Sequence, residues 1–477
     1  MLVNMKRYNN NYYKIEMRNS MFKDIIKGLL ALALAGATYA YATNVHADTV
    51  ADANPIRVST SQYYTKVSAP KMAARTKLTI YQTADMKKKI GTITAGKLIK
   101  IKRLVVNESG TPTFQVSGGY ITTAKAKVIV PKVTTSKKYF ITKPVKVVTK
   151  AKVKSYQTVD LKTKKVLIKR NAKLTVKAIS WTSKGYPSLK TNKGWVSGKK
   201  TSIKLIPKYK AHARAASAYD MTTGKFLYTK NSHKRLPNAS TTKLMTLYLT
   251  YQKVADTSAT WNTQVKINSH VAKMSRAPWG EIRMKPGQRW TVKQLYEAAL
   301  IQSSNEAATQ LGIWVAGSNA KFIKAMNQQA KTWNLKDTYY YTSTGLDNDD
   351  VAPYGLKVTG SARARNYSSA YDLTMLADKL LTKYPKILNT AKKTSAKVQG
   401  HTVKTTNKML KGKAYYQKSL HVDGLKTGTT PAAGQVFVGT GQVPGKHRLI
   451  TVVMHSSNRF ADTTKIMNNV YDRYVLN

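Results

Sequence analysis

The chain reads as a multidomain protein in which two small all-β repeats precede an α/β (α+β) domain whose two ends join one sheet. Three observations carry that reading. Short alternating strands recur twice between residues 63 and 206 at a constant displacement. The texture changes to mixed helices and strands from about Ala211, and strand-like runs flank a helical middle in that second region. At 477 residues the chain is long enough for several domains with substantial cores.

At the N-terminus, Lys6, Arg7, Lys14, Arg18, Lys23 and Lys27 precede an Ala-rich apolar stretch from Gly28 to Ala42. Val45-His46-Ala47 then puts small residues where an A-x-A-like peptidase site needs them. Residues 1–47 are therefore expected to be a secretory signal peptide, whether translation starts at Met1 or at Met5, Met17 or Met21. The apolar run is shorter than the roughly 20 residues a bilayer-crossing helix requires, which favours cleavage over a retained anchor. No later segment reads as a transmembrane helix. Export permits disulfides, yet the chain has no Cys, so staples, thiolate chemistry and zinc-thiolate sites are excluded. Packed cores must supply stability, and no cofactor or metal is called for.

Lys plus Arg number 81 against 21 Asp plus Glu, a formal charge of +60 that attracts polyanions. Nucleic acid is the default partner of a basic intracellular chain. An exported one meets anionic wall polymers and phospholipid head groups first. A secreted, wall-associated protein without a nucleic-acid role is the expectation, against the plainer reading of a merely soluble basic surface.

Residues 48–62 are small and polar and read as a linker. The repeats follow, at 63–132 and 137–207. Tyr81-Gln82-Thr83 recurs as Tyr156-Gln157-Thr158, Pro112 as Pro187 and Gly119-Tyr120-Ile121 as Gly194-Trp195-Val196, each 75 positions downstream, as 156 is from 81. Runs such as Lys97 to Lys102 and Lys173 to Lys177 alternate like short strands, which suits a small β-barrel. The Gly-aromatic-β-branched ending resembles bacterial SH3-like wall-targeting modules, and the Lys-rich strands resemble surface-layer attachment repeats. That resemblance implies attachment, with outward Lys binding phosphate-bearing polymers through counterion release. The alternative is a spacer whose Lys solvate exposed strand faces. Tyr120 and Trp195 are expected in the core.

In residues 211–477, Ala215 to Asp220 and Lys225 to Tyr228 flank Thr222-Thr223-Gly224 as a hairpin would. Residues 241–253 are apolar on almost all sides, so this helix is expected to run through the core. Thr291 to Ile301 and Glu306 to Ala316 read as helices, Gln435 to Gly439 and Arg448 to His455 as strands, and Ala461 to Tyr474 as a closing helix.

Three motifs fall in order in this region: Ser240-Thr241-Thr242-Lys243, Ser303-Ser304-Asn305 and Lys426-Thr427-Gly428. S-x-x-K alone is weak, because it also occurs at Ser68, Ser197 and Ser318. The ordered set carries the specificity. A serine hydroxyl needs a base, and at the first turn of a helix Ser240 and Lys243 share a face. Acidic residues are absent from Leu236 to Leu249. Burial, with a second cation at Lys426, is expected to push Lys243 toward the neutral form that acts as base. Ser303 and Asn305 lie in a break between helices, where the Ser303 hydroxyl can relay the proton to a leaving amine and the Asn305 amide can hold a peptide group. Lys426 and Thr427 suit a terminal carboxylate. Gly428 leaves room for a substrate backbone, and the Thr429 N–H joins that of Ser240 as an oxyanion hole.

The segments Asn238 to Thr246, Leu300 to Ala308 and Val422 to Gly428, with Asn366 to Leu373, resemble the serine D-alanyl-D-alanine carboxypeptidases, the low-molecular-mass penicillin-binding proteins. The resemblance covers roughly residues 211–477. It implies a serine β-lactamase/transpeptidase-like fold, with an antiparallel sheet flanked by helices beside a helical subdomain. It also implies that Ser240 attacks the terminal D-Ala-D-Ala bond of peptidoglycan stem peptides, and that β-lactams acylate the same serine. Thr342 stands where many members have Asn. Many members also carry a C-terminal β-rich domain and anchor, whereas here the residues after Gly428 are needed to finish the sheet, so attachment is expected to pass to the N-terminal repeats. DD-endopeptidase or transpeptidase activity, a class A β-lactamase and a non-catalytic wall-binding protein are the competing readings.

Overall fold

The computed structural model describes residues 54–476. The expected signal at 1–47 and the start of the linker lie outside them. The described chain divides into two compact units, one formed by residues up to 70 with 79–92 and 100–125, the other by 71–78, 93–99 and 126 onward. Among the described residues no helix is long and apolar enough to cross a membrane.

In the first unit a sheet runs in the order Lys89–Ile93, Leu78–Tyr81, Gly119–Thr122, Pro112–Val116, Arg103–Val106. Phe114, Val116 and Ile121 are buried, so alternate positions form its inner face. In the second unit the second repeat forms a seven-stranded sheet containing the corresponding strands Lys164–Ile168, Val153–Tyr156, Gly194–Ser197 and Pro187–Thr191. Its core gathers Phe140, Val147, Val153, Ile168, Leu174, Val176, Ile179, Leu189, Val196 and Ile203. Tyr120 and Trp195 are not in these cores, contrary to the expectation from sequence. Strand alternation turns Ile121 and Val196 inward, which leaves the preceding aromatic half-buried on the outer face.

The remainder of the second unit is built on a five-stranded sheet in the order Lys225–Lys230, Ala215–Asp220, Leu449–Ser456, Gly434–Gly441, Val422–Thr430, with antiparallel neighbours throughout. The first and last stretches of the domain do meet in one sheet. Its three central strands, Ala215–Asp220, Leu449–Ser456 and Gly434–Gly441, are buried along almost their whole length. Ala216, Ala218, Phe437 and Val453 pack with Phe460, Ile466 and Val470 of the closing helix Arg459–Arg473. Ala215, Val436, Val438, Ile450 and Val452 belong to the larger core that also contains Leu244, Met245, Leu247 and Tyr248 of the helix Lys243–Asp256 and Leu373, Leu376 and Leu380 of the helix Ala370–Lys383. The helix Lys243–Asp256 is buried from Lys243 to Thr250, as its all-round apolar character predicts.

Two local departures position chemistry. Residues Ala239–Thr242 form a tighter 3-10 turn before that helix. The helix expected over Thr291 to Ile301 stops being α-helical after Glu297 and widens into a π turn at Ala298–Gln302, ended by Ser303 in the left-handed region at φ 80°. Such π turns accommodate an extra residue and are frequent beside functional sites.

Candidate active site

The 3-10 turn holding Ser240 is braced from within. The buried Asn238 carbonyl accepts the Thr241 hydroxyl at 2.6 Å, and its side-chain oxygen accepts the Thr242 hydroxyl at 3.2 Å. The turn places Ser240 three residues before the helix and Lys243 at its first position. Lys243 is fully buried, and its Nζ lies 2.8 Å from Ser240 Oγ, 2.8 Å from Asn305 Oδ1 and 3.2 Å from the Thr344 carbonyl oxygen.

These three partners accommodate both charge states of the lysine, the neutral amine and the ammonium. An –NH2 group has two N–H bonds and one lone pair. Asn305 Oδ1 and the Thr344 carbonyl can only accept, so each takes an N–H bond of Lys243 in either charge state, and toward Ser240 Oγ the nitrogen directs a third N–H bond when charged and its lone pair when neutral. Burial pushes the Lys243 pKa down to about 7, opposed by the carboxylates of Glu281 and Glu306. Burial is the leading cause, as the sequence reading expects, and Lys243 and Lys426 repel one another. The local stretch lacks acids, but the fold brings Glu281 and Glu306 in from elsewhere. Glu306 is itself buried, with its pKa raised by that burial, and its Oε1 accepts the backbone N–H groups of Glu281 and Ile282.

Ser303 ends the π turn, and Ser304 caps the helix Asn305–Ala316 by accepting the Ala307 N–H at 3.1 Å. This arrangement separates the roles of neighbouring residues. Ser304 is consumed by the cap, Asn305 turns its oxygen to Lys243, and the Ser303 hydroxyl engages no protein partner among the described residues.

The third motif lies on Val422–Thr430, the strand at one end of the sheet order. Lys426 is buried and its Nζ donates to the Thr427 carbonyl at 3.0 Å. Burial lowers its pKa well below the usual lysine value, reinforced by Lys243 and Arg459. The Thr427 and Thr406 hydroxyls are 2.6 Å apart. A side chain added at Gly428 would meet Asn238 O and Ser240 N, each at 3.0 Å. On the side where a Cβ would stand, Gly428 lies against the protein's own serine turn, so glycine lets the strand close on the nucleophile. Thr429, the next residue, is exposed.

Three supports were not identified from sequence. Asn366 donates to Thr242 Oγ1 at 2.9 Å and to the Thr342 carbonyl at 2.8 Å, and accepts the N–H groups of Tyr341 and Thr342. It ties the loop carrying Thr344 to the turn carrying Ser240. Only its place in the Asn366 to Leu373 segment hinted at a role. Gly345 lies against Ala239 O at a distance only glycine permits, its φ at 93°. Arg459, which no sequence pattern marked, donates to the carbonyls of Gly428 and Val436.

A family model described as D-alanyl-D-alanine carboxypeptidase matches residues 201–458. A second, a domain of unknown function (DUF5776), matches twice, over 63–128 and 139–203. The chain is 31% identical over 270 residues to D-alanyl-D-alanine carboxypeptidase DacF of Bacillus subtilis, covering 55% of this chain and 63% of the relative. It is 32% identical over 246 residues to D-alanyl-D-alanine carboxypeptidase DacD of Escherichia coli, covering 51% of this chain and 58% of the relative. It thus spans less than two thirds of the length of these relatives. A crystal structure of a peptidoglycan synthesis regulatory factor from Streptococcus pneumoniae is similar with TM-score 0.52 at 34% identity, over 55% of this chain and 74% of that one.

Proposed function

Because the chain belongs to the D-alanyl-D-alanine carboxypeptidase family, we propose that it is a secreted serine peptidase that removes the terminal D-alanine from peptidoglycan stem peptides. The observation that carries this reading is the buried Lys243 nitrogen 2.8 Å from Ser240 Oγ, with both its other partners acceptors.

Lys243 in its neutral form takes the Ser240 proton as Oγ attacks the carbonyl of the terminal D-Ala-D-Ala amide. The negative charge that develops on the carbonyl oxygen is met by the backbone N–H groups of Ser240 and Thr429. One such donor is typically worth about 2.7–4 kcal/mol of barrier. Ser303 passes the proton from Lys243 to the nitrogen of the leaving D-alanine, the C–N bond breaks, and an ester on Ser240 remains. Lys243, now neutral again, draws a proton from water, which attacks the ester carbonyl; the Oγ–C bond breaks, Lys243 returns the proton to Ser240 Oγ, and the shortened peptide leaves. Asn305 Nδ2 donates to the substrate's peptide carbonyl, while Lys426 and Thr427 receive the terminal carboxylate. Gly428 holds the edge strand close enough to Ser240 for both ends of the substrate to be engaged at once.

A β-lactam presents an amide carbonyl to the same serine and is expected to acylate it. The N-terminal segment 1–47 directs export, and the basic repeats retain the protein at anionic wall polymers. DD-endopeptidase or transpeptidase turnover uses the same acyl-enzyme with a different leaving or accepting amine.

The test is mass spectrometry of the mature protein after a fluorescent penicillin, with Ser240→Ala alongside, followed by D-alanine release from a synthetic pentapeptide. A stoichiometric adduct on Ser240 together with released D-alanine supports the reading. A folded protein that takes no adduct overturns it.

A further inference from the structure

The two repeats carry corresponding rows of side chains across the outer faces of their sheets. In the first, Arg103 pairs across strands with Gln115, Gln115 with Tyr120, and Tyr120 with Tyr81. In the second, Ala178 pairs with Lys190, Lys190 with Trp195, Trp195 with Tyr156, and Tyr156 with Lys164. Cross-strand partners share a face, so each repeat presents two adjacent aromatic side chains beside polar or basic ones. The inner positions next to them, Phe114 and Ile121 in one copy and Leu189 and Val196 in the other, are buried.

Core packing does not account for these rings, since all four are only half-buried. What the two copies share is the ring pair and the glycine before its second member. Gly119 and Gly194 have φ of 147° and 108°, and a side chain there would stand 2.3 Å from the Tyr81 carbonyl oxygen and 2.7 Å from that of Tyr156. Glycine lets the two ring-bearing strands close on each other. The flanking polar groups are organised toward the rings: Arg103 Nε donates to Gln115 Oε1 at 2.9 Å, Gln115 Nε2 donates to the Tyr120 hydroxyl at 3.3 Å, and Lys190 Nζ lies 6.0 Å from the Trp195 ring centroid. No residue of either row is acidic.

We propose that each outer face is a binding platform for an acidic polysaccharide, with Tyr81 and Tyr120 in the first repeat and Tyr156 and Trp195 in the second stacking against pyranose rings. Arg103 in one copy, and Lys164 and Lys190 in the other, meet the phosphate or carboxylate substituents. Aromatic side chains with a polar tip supply contact area at little conformational cost. A basic surface alone would bind any polyanion, and the rings add what charge lacks, a requirement for flat-faced units along the polymer. Nucleobases also stack on such rings. The choice of polysaccharide rests on the wall peptidase reading above, and it is this choice that the test probes.

The experiment uses the full mature chain and sedimentation with sacculi that carry phosphate-containing wall polysaccharide, at 0.3 M NaCl to suppress non-specific attraction. The variants are Tyr81→Leu with Tyr120→Leu, Tyr156→Leu with Trp195→Leu, and all four together. Leucine keeps apolar cover on the strands, and an unchanged thermal midpoint confirms folding. Each pair is expected to weaken binding about tenfold, as loss of interface anchors typically does. The fourfold variant should keep only binding that salt removes, with penicillin acylation at Ser240 unaltered. Wild-type-like sedimentation of the fourfold variant overturns the platform. Undiminished binding to sacculi stripped of the phosphate polymer, or tighter ring-dependent binding to a single-stranded DNA oligonucleotide, overturns the acidic polysaccharide. Absence of acylation in the wild type would count against the peptidase reading alone, because sedimentation still reports on the rings.

Discussion

Lys243 Nζ is 2.8 Å from Ser240 Oγ and equally 2.8 Å from Asn305 Oδ1, so the serine turn and the helix of the second motif meet at one buried nitrogen. Its pKa near 7 makes the charge state of that nitrogen the controlling variable. Below pH 7 the ammonium has no lone pair for the serine proton. Above it the amine does. The second-order rate of acylation by a fluorescent penicillin is therefore expected to rise through an inflection near pH 7 and then level off. Asn305→Asp puts a carboxylate in place of the amide oxygen and favours the charged form. The inflection should move up by roughly 1–3 pH units. An unmoved inflection in Asn305→Asp would assign the titration to another group.

Lys243→Met separates chemistry from stability. Loss of the base should slow acylation by about 10²–10⁴-fold. Stability should respond in the opposite sense, because the folded protein holds this lysine at a pKa below its unfolded value of 10.5. Between those two values the unfolded chain binds more protons, so Lys243 makes the wild type gain stability as pH rises. Urea unfolding at pH 6, 8 and 9.5 should find the variant relatively most stabilised at pH 6, its advantage shrinking toward pH 9.5.

Asn366 satisfies four groups at once, two N–H donors and two acceptors, while buried. Asn366→Leu leaves those backbone and hydroxyl groups without partners, at about 1–3 kcal/mol for each buried group that water cannot reach. A loss of roughly 2–4 kcal/mol in urea unfolding is expected, since some groups will find water. Acylation should fall as well, because the loop that presents the Thr344 carbonyl to Lys243 loses its tie to the serine turn. A stability loss with an unchanged acylation rate would make Asn366 purely structural.

How much of this was legible depended on whether the signal was local. Ser240 and Lys243 are three residues apart, and the turn geometry that brings them together follows from that spacing. The apolar run after Lys243 announced a buried helix, and strand-like runs at both ends of the domain announced a shared sheet. Asn305 was recognised, but not that its oxygen would face Lys243, because that contact spans 62 positions. Glu281 and Glu306 escaped the charge reading for the same reason. The closeness of Gly428 to the Asn238 carbonyl and the Ser240 N–H was not legible, because it joins positions far apart in the chain. The outward turn of Tyr120 and Trp195 was written in the alternation with Ile121 and Val196, but aromatic character outweighed period when the residues were assigned to the core.

Gly345 and Gly428 both lie against the serine turn, at different distances, which sets a graded test. A Cβ at Gly345 would stand 1.9 Å from the Ala239 carbonyl oxygen on a backbone already at φ 93°. Gly345→Ala combines overpacking with an unfavourable backbone conformation and should cost about 2–4 kcal/mol in unfolding measurements. At Gly428 the nearest atoms are at 3.0 Å, so a few tenths of an ångström of movement suffices. Gly428→Ala should leave stability within about 1 kcal/mol, since milder overpacking sits at the low end of that range. It should still slow acylation, because the atoms that must yield include the Ser240 N–H proposed for the oxyanion hole. Equal stability losses in the two variants would contradict this reading of the contacts.

Lys426 tests substrate polarity. The fold holds it buried beside two other cations, Lys243 and Arg459, with its pKa well below the usual lysine value. A free cation at this position is therefore disfavoured, and an arriving carboxylate would restore the charged form by offering a partner. Binding of a carboxylate-ended peptide then takes up a proton at any pH where the free enzyme holds Lys426 neutral. KM for such a peptide should rise with pH across that range, while KM for the same peptide ending in an amide should stay flat. Lys426→Met should bring the two KM values together, chiefly by weakening the carboxylate-ended peptide, and should not lower the thermal midpoint because burial already disfavours the lysine's charged form. A variant that weakens both peptides alike would move the carboxylate contact elsewhere, and Thr427 and Arg459, which lie on and against the same strand, would be the next substitutions to compare.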